Sequence, residues 1–136
     1  MAKLNPAGTA LVYSAFVGGS AWDSASGLAL DAAGNAYLSG TTQSRDFPVT
    51  PRAFQSANNA GSGCPSTVFV TKINPAGTTL TYSTLLGGSN CSSNAGVAVD
   101  PAGFAYVTGQ TSAADFPVTP GALQRALKTG TDAADA

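Results

Sequence analysis

The chain contains no histidine and no glutamate, and charge of either sign is scarce: seven acidic and six basic residues among 136, a charged fraction of 10% and a formal net charge of -1. Without histidine neither a Ser-His nor a Cys-His nucleophile can be assembled, and without glutamate the usual glycosidase acid is missing. Two cysteines and no histidine are too few for a zinc site. No run of basic residues is present to neutralise phosphates, which argues against nucleic acid as a partner. No apolar run approaches the length of a membrane span and no basic amphipathic helix is visible. The Gly-Gly-Ser sites open no helix and so do not make a phosphate loop. Aspartates remain as acid-base candidates, but they recur at turn and cap positions where local structure accounts for them. Neither an enzymatic activity nor a cofactor is expected.

What is present is a hydrophobic fraction of 43%, sufficient for a real core in a chain of this length, with 16 glycines and a polar surface drawn from Ser, Thr, Asn and Gln. That composition suits secreted bacterial β-proteins, which puts the expected location outside the cell or in its envelope. Met1-Ala2-Lys3 leads directly into repeated sequence, so the expectation is either that export is signalled elsewhere or, the favoured reading, that the sequence is an excerpt of a longer chain.

The organising stretch is Gly96 to Gly109, in which two β-branched runs flank Asp100-Pro101-Ala102-Gly103. Asp suits the first turn position, Pro presets φ at the second, and Gly accepts the left-handed conformation that closes a hairpin. The same pattern stands earlier as Gly27 to Gly40 around Asp31-Ala32-Ala33-Gly34. Shifting the chain by 69 residues aligns Lys3 with Lys72 and keeps register to Gly61 and Gly130, with about half of the compared positions identical. The chain is therefore two repeats, 1–67 and 68–136, neither of which buries its own faces alone. In each repeat four strand-like pieces follow one another: 68–73, a turn at Asn74-Pro75-Ala76-Gly77, 79–86, a Gly-Gly-Ser and polar loop, then 95–100 and 104–109. Four short antiparallel strands per repeat, punctuated by glycine, are what a propeller blade requires.

The string Gly87-Gly88-Ser89, then Val97-Ala98-Val99-Asp100-Pro101-Ala102-Gly103-Phe104-Ala105-Tyr106-Val107-Thr108-Gly109, then Asp115-Phe116-Pro117-Val118-Thr119-Pro120 resembles the bacterial beta-propeller repeat family abbreviated SBBP, almost throughout the chain and twice over. The resemblance implies an all-β propeller of four-stranded blades, mostly in extracellular or envelope proteins. By analogy with related propellers, Val97 to Asp100 would be the innermost strand A, Tyr106 to Gly109 strand B, Val68 to Lys72 strand C and the Tyr82-containing run strand D. The chain then carries two blade equivalents in the offset order C-D, A-B-C-D, A-B. Its leading C-D half and trailing A-B half each lack a partner, and unpaired strand edges pair. Self-association through the B and C edges is the expected partner interaction, giving a trimer with six blades, a tetramer with eight, or a fibre.

The tight turns share one face of such a blade, and the long connections share the other. Long loops on a rigid scaffold usually carry binding residues. Thr50-Pro51 and Thr119-Pro120 look like N-cap and N1 pairs, predicting a short helix in each long B-to-C excursion, the second ending before Gly130. Phe47 and Phe116 are expected to pin those excursions to the blade. Asp46 and Asp115 either bind a cation or sugar hydroxyl or cap backbone N–H groups at the start of the excursion. Asp31 and Asp100 read as turn formers. Trp22 and Asp23 make one loop patch that suggests carbohydrate stacking, against packing of Trp22 between neighbouring units. A glycan-binding module is thus the alternative to an assembly module. Cys64 precedes strand C and Cys91 follows strand D, so the 74–77 turn brings both to the open end of one hairpin. A disulfide there would stabilise by roughly 3 kcal/mol on the loop-entropy model and favours an oxidising compartment.

Overall fold

The computed structural model describes residues 1–128. Among these, eight strands form in chain order, β1 (Ala2–Leu4), β2 (Leu11–Ser14), β3 (Asp23–Leu30), β4 (Ala36–Thr42), β5 (Thr67–Ile73), β6 (Leu80–Leu86), β7 (Ser92–Val99) and β8 (Ala105–Thr111), and no helix is present. They make three antiparallel sheets: the hairpin β1-β2, a four-stranded meander β3-β4-β5-β6, and the hairpin β7-β8. This is the offset C-D, A-B-C-D, A-B order. The four-stranded sheet spans the join between the two sequence repeats, so the repeat and the physical blade are out of phase.

The tight turns behave as their residues require. Gly8, Gly34, Gly77 and Gly103 have φ between 69° and 88°, the left-handed region where a side chain is strained. In each turn the glycine N–H donates to the carbonyl of the opening Asn or Asp, at 2.9–3.0 Å. The opening side chain closes the turn a second time: Asp31 accepts from the amides of Ala33 and Asn35, and Asp100 from that of Phe104. Both aspartates are turn formers.

Strands β3 and β7 begin earlier than the alternating pattern suggests. A bulge, between Ala25 and Gly27 in β3 and between Asn94 and Gly96 in β7, absorbs one residue, and pairing then continues back to Asp23 and Ser92. Asp23 is consequently the first residue of a strand, opposite Thr42, not a loop residue.

The core lies in the complete sheet. Ala36, Leu38, Phe47, Phe69, Ile73 and Leu85 form one buried cluster, with Met1, Val17, Val49 and Leu80 packed against it. Phe47 stacks on Phe69 with ring centroids 4.6 Å apart, so Phe47 does pin the first excursion to the blade. Its counterpart Phe116 is half-buried.

The predicted helices are absent. Thr50-Pro51 makes a single turn, closed by Ala53 N–H to Thr50 C=O at 3.0 Å, and Thr119 makes another through Ala122 N–H at 3.1 Å. The excursion runs instead along the outer edge of β6. Thr50 N–H donates to Ser83 C=O and Leu85 N–H donates to Gln55 C=O, each at 3.0 Å, and Gln55 N–H donates to Thr84 Oγ1. Backbone groups that a helix would pair internally are taken by a strand edge, which outweighs the local N-cap signal. The second excursion shows no helix as far as Lys128; the rest of that expected segment lies outside the described residues.

Candidate functional site

Two features stand apart from ordinary blade structure: a carboxylate latch on the long-loop face, and the pair of unpaired strand edges.

The latch begins with Gly18-Gly19-Ser20, the D-to-A connection. Asp46 Oδ1 accepts from Ser20 N–H at 2.8 Å and from Ser20 Oγ–H at 2.9 Å. The second repeat does the same with Asp115 and Ser89, at 2.8 and 3.0 Å. These hydrogen bonds hold both carboxyls below the ordinary aspartate range; the backbone donors at Ser20 and Ser89 contribute most and the hydroxyls next. The caps therefore reach back to the preceding connection rather than to the excursion that Asp46 and Asp115 open. That corrects the expectation and explains the glycines. A Cβ on Gly19 would stand 2.4 Å from Asp46 Oδ1, and one on Gly88 2.3 Å from Asp115 Oδ1. Sequence reasoning treated Gly-Gly-Ser only as punctuation, although its pairing with an aspartate 26 or 27 residues later, in both repeats, was visible.

Asp23 joins the first latch alone. Its Oδ2 accepts from Gly19 N–H at 2.8 Å and from Ser44 Oγ–H at 3.0 Å, while Ser44 Oγ accepts from Ala21 N–H. Ser92 replaces it in the second repeat and bonds Thr111. Trp22 sits beside Asp23 with its ring exposed, its backbone carbonyl held by Gln43 N–H at 2.8 Å. The long-loop face thus brings Trp22, Asp23 and Asp46 together. Asp115 belongs to the equivalent point of the other half-blade. Among the described residues no group of three or more acidic or cysteine side chains is arranged to hold a metal ion.

Cys64 and Cys91 are bridged, with Cα atoms 5.3 Å apart. The bridge closes the open end of the β5-β6 hairpin, and Gly61 N–H to Ser89 C=O at 2.9 Å runs beside it. Arg45 fixes the same region by donating to the carbonyls of Asn58 and Ala60.

The edges differ in how they are covered. The outer edge of β6 carries the first excursion. Among the described residues no strand lies on the free side of β1 or of β8. Between β8 and the second excursion lies an open cleft of about 720 Å³, lined by Val107, Phe116, Val118 and Leu123 among others. In the complete blade the corresponding space is filled by β5 and β6. On the opposite face of the same edge, what covers a side chain is plain from Tyr37. Its ring is fully buried, Lys72 Nζ lies 4.7 Å from the ring centroid, and Lys72 makes a 3.1 Å ion pair with Asp31. Partial desolvation raises the Asp31 carboxyl, but hydrogen bonds from Asn35 and Lys72 and the Lys72 charge outweigh it and hold the group well below its ordinary range. The Tyr37 hydroxyl and Asp31 together hold Lys72 above its ordinary value, against desolvation. The counterpart Tyr106 is 59% exposed and its hydroxyl donates to Asp100, whose carboxylate pushes the phenol up.

No helix of the described residues is long and apolar enough to cross a membrane. A family model described as a beta-propeller repeat, SBBP, matches residues 81–117. The match runs from β6 through β7 and β8 to Pro117, and so takes in Gly87-Gly88-Ser89 and its latch partner Asp115. No curated protein matches the chain.

Proposed function

We propose that this chain, whose residues 81–117 are a beta-propeller repeat of the SBBP family, is a non-enzymatic structural module that associates edge to edge, as blades of a ring, of a fibre or of a longer propeller. The family makes it a structural or binding β-module; assembly is the reading its edges support best. One observation carries it. The sheet β3-β4-β5-β6 is a complete unit, and β7-β8 and β1-β2 are the same unit's two halves, each with an open edge. Open edges with apolar flanks pair with another chain unless they are blunted, and neither edge carries a proline, although β1 carries Lys3. The disulfide suits an extracellular or envelope location.

Light scattering on the purified chain tests the assembly reading. Three or four copies per particle, or fibres, are expected; a monomer at every concentration reached overturns it.

The exposed Trp22 ring on the long-loop face favours a second reading, a glycan-binding module in which a sugar stacks on the indole. Asp23 and Asp46 already accept from protein donors, so Trp22 would carry most of the contact. A glycan array with Trp22→Ala as control decides it; absence of binding to every sugar removes it.

A further inference from the structure

The proposed edge association leaves open how the two edges meet at the cleft beside β8. We infer that the occupant is the β1-β2 hairpin of a second copy, seated in one register that the complete blade already displays. This inference rests on the assembly reading above.

In the complete blade β4 pairs β5 with Ala36 opposite Ile73, Tyr37 opposite Lys72, Leu38 opposite Thr71 and Ser39 opposite Val70. Moved by the repeat offset, the joint sets Ala105 opposite Leu4, Tyr106 opposite Lys3, Val107 opposite Ala2 and Thr108 opposite Met1 of the incoming copy. The side chains that would meet are those left uncovered. Leu4 is 57% exposed where its counterpart Ile73 is 3%, and Phe16 is fully exposed where Leu85 is 1%. Five of the six core residues of the complete blade then have partners in the joint: Ala105, Val107 and Phe116 from one copy, Leu4 and Phe16 from the other. The larger Phe16 ring lies beside the position that Phe69 fills in the complete blade, since Leu85 and Phe69 are register partners.

The polar groups match as well. Lys3 takes the place of Lys72, over the Tyr106 ring and paired with Asp100, as Lys72 is with Tyr37 and Asp31. In the single copy Lys3 lies 5.9 Å from the ring of Tyr13. The second excursion would then lie along β2 as the first lies along β6, with Thr119 N–H donating to Ser14 C=O and Phe16 N–H to Gln124 C=O. The contact is heterologous, one copy's hairpin in the next copy's cleft, so each copy has one of each end.

Complementation tests it. Phe16→Asp disables the hairpin end and Tyr106→Lys the β8 end, where the new ammonium would face Lys3 of the incoming copy; both positions are exposed in the single copy. Each variant alone is expected to assemble about 100-fold more weakly, the effect of excluding one large apolar side chain from burial. Mixed, they should form a 1:1 dimer and nothing larger, because one working hairpin meets one working cleft. Lys3→Glu, at an exposed β1 position, guards against misfolding of either variant: assembly should weaken about tenfold at low salt, through like charge facing Asp100, and less at high salt. Wild-type assembly that persists in Phe16→Asp and Tyr106→Lys overturns this joint while leaving edge association standing, as does a mixture that stays monomeric. A monomeric wild type overturns both.

Discussion

Replacing Cys64 and Cys91 together by serine isolates what the cross-link contributes. The bridge spans 27 residues, and on the loop-entropy model a closed loop of that size removes unfolded-chain entropy worth about 3.5 kcal/mol at 25 °C. The native side should change little. Gly61 N–H still bonds Ser89 C=O, Asn58 Nδ2 still donates to Pro65 C=O at 2.7 Å, and Arg45 still holds the carbonyls of Asn58 and Ala60. The substitution therefore acts on the unfolded ensemble, and the whole described sheet should lose stability together. Urea unfolding followed by tryptophan fluorescence and by far-ultraviolet dichroism reads this. With a slope of about 1.5 kcal/mol/M the midpoint should fall by about 2 M. Native protein should show no titratable thiol. A loss below about 1 kcal/mol, or a loss of amide protection confined to residues 58–66, would refute the reasoning, because either would place the bridge's effect in local order instead.

Two further outcomes follow from the core and the latch. Phe69→Ala should cost about 3–5 kcal/mol in the same urea assay, since the ring is buried and stacked on Phe47, whereas Phe54→Ala, at a largely exposed position, should stay within about 0.5 kcal/mol; equal effects would misplace the core. Asp46 and Asp115 have folded-state pKa values below the unfolded carboxylate value of about 3.9, so their stabilisation is present above that pH and is lost as pH falls through the lower folded value. NMR titration should show the Ser20 and Ser89 amides shifting below pH 3.9, and Asp46→Asn should abolish the step at Ser20 alone; amides that titrate at the ordinary carboxylate value would contradict the latch.

The sites divide by how local their causes are. The turn aspartates and the left-handed glycines act within four residues, and the disulfide follows from a hairpin that Asn74-Pro75-Ala76-Gly77 announces. The excursions were misread for the opposite reason. Thr50-Pro51 is a genuine local helix start, but Gln55 bonds β6 about 30 residues away, and no window around Thr50 contains that strand edge. Asp46 was legible as a cap, yet its donor lies at Ser20, across the blade. Trp22 was visible as unusual, and only the structure set it exposed beside a carboxylate that already has partners.

The sequence by itself determined the repeat, the four tight turns and the pairing of the cysteines, because turn geometry and alternation depend on neighbours along the chain. It could not determine which copy of an identical pattern is buried. Strands β4 and β8 share most of their residues, yet β4 is buried along its whole length and β8 is alternately half-buried and exposed. The difference is that, among the described residues, β4 has a strand on each side and β7 packed against it, whereas β8 has a strand on one side only. Burial depends on what is brought alongside, and for that edge the missing neighbour is what the tertiary structure revealed.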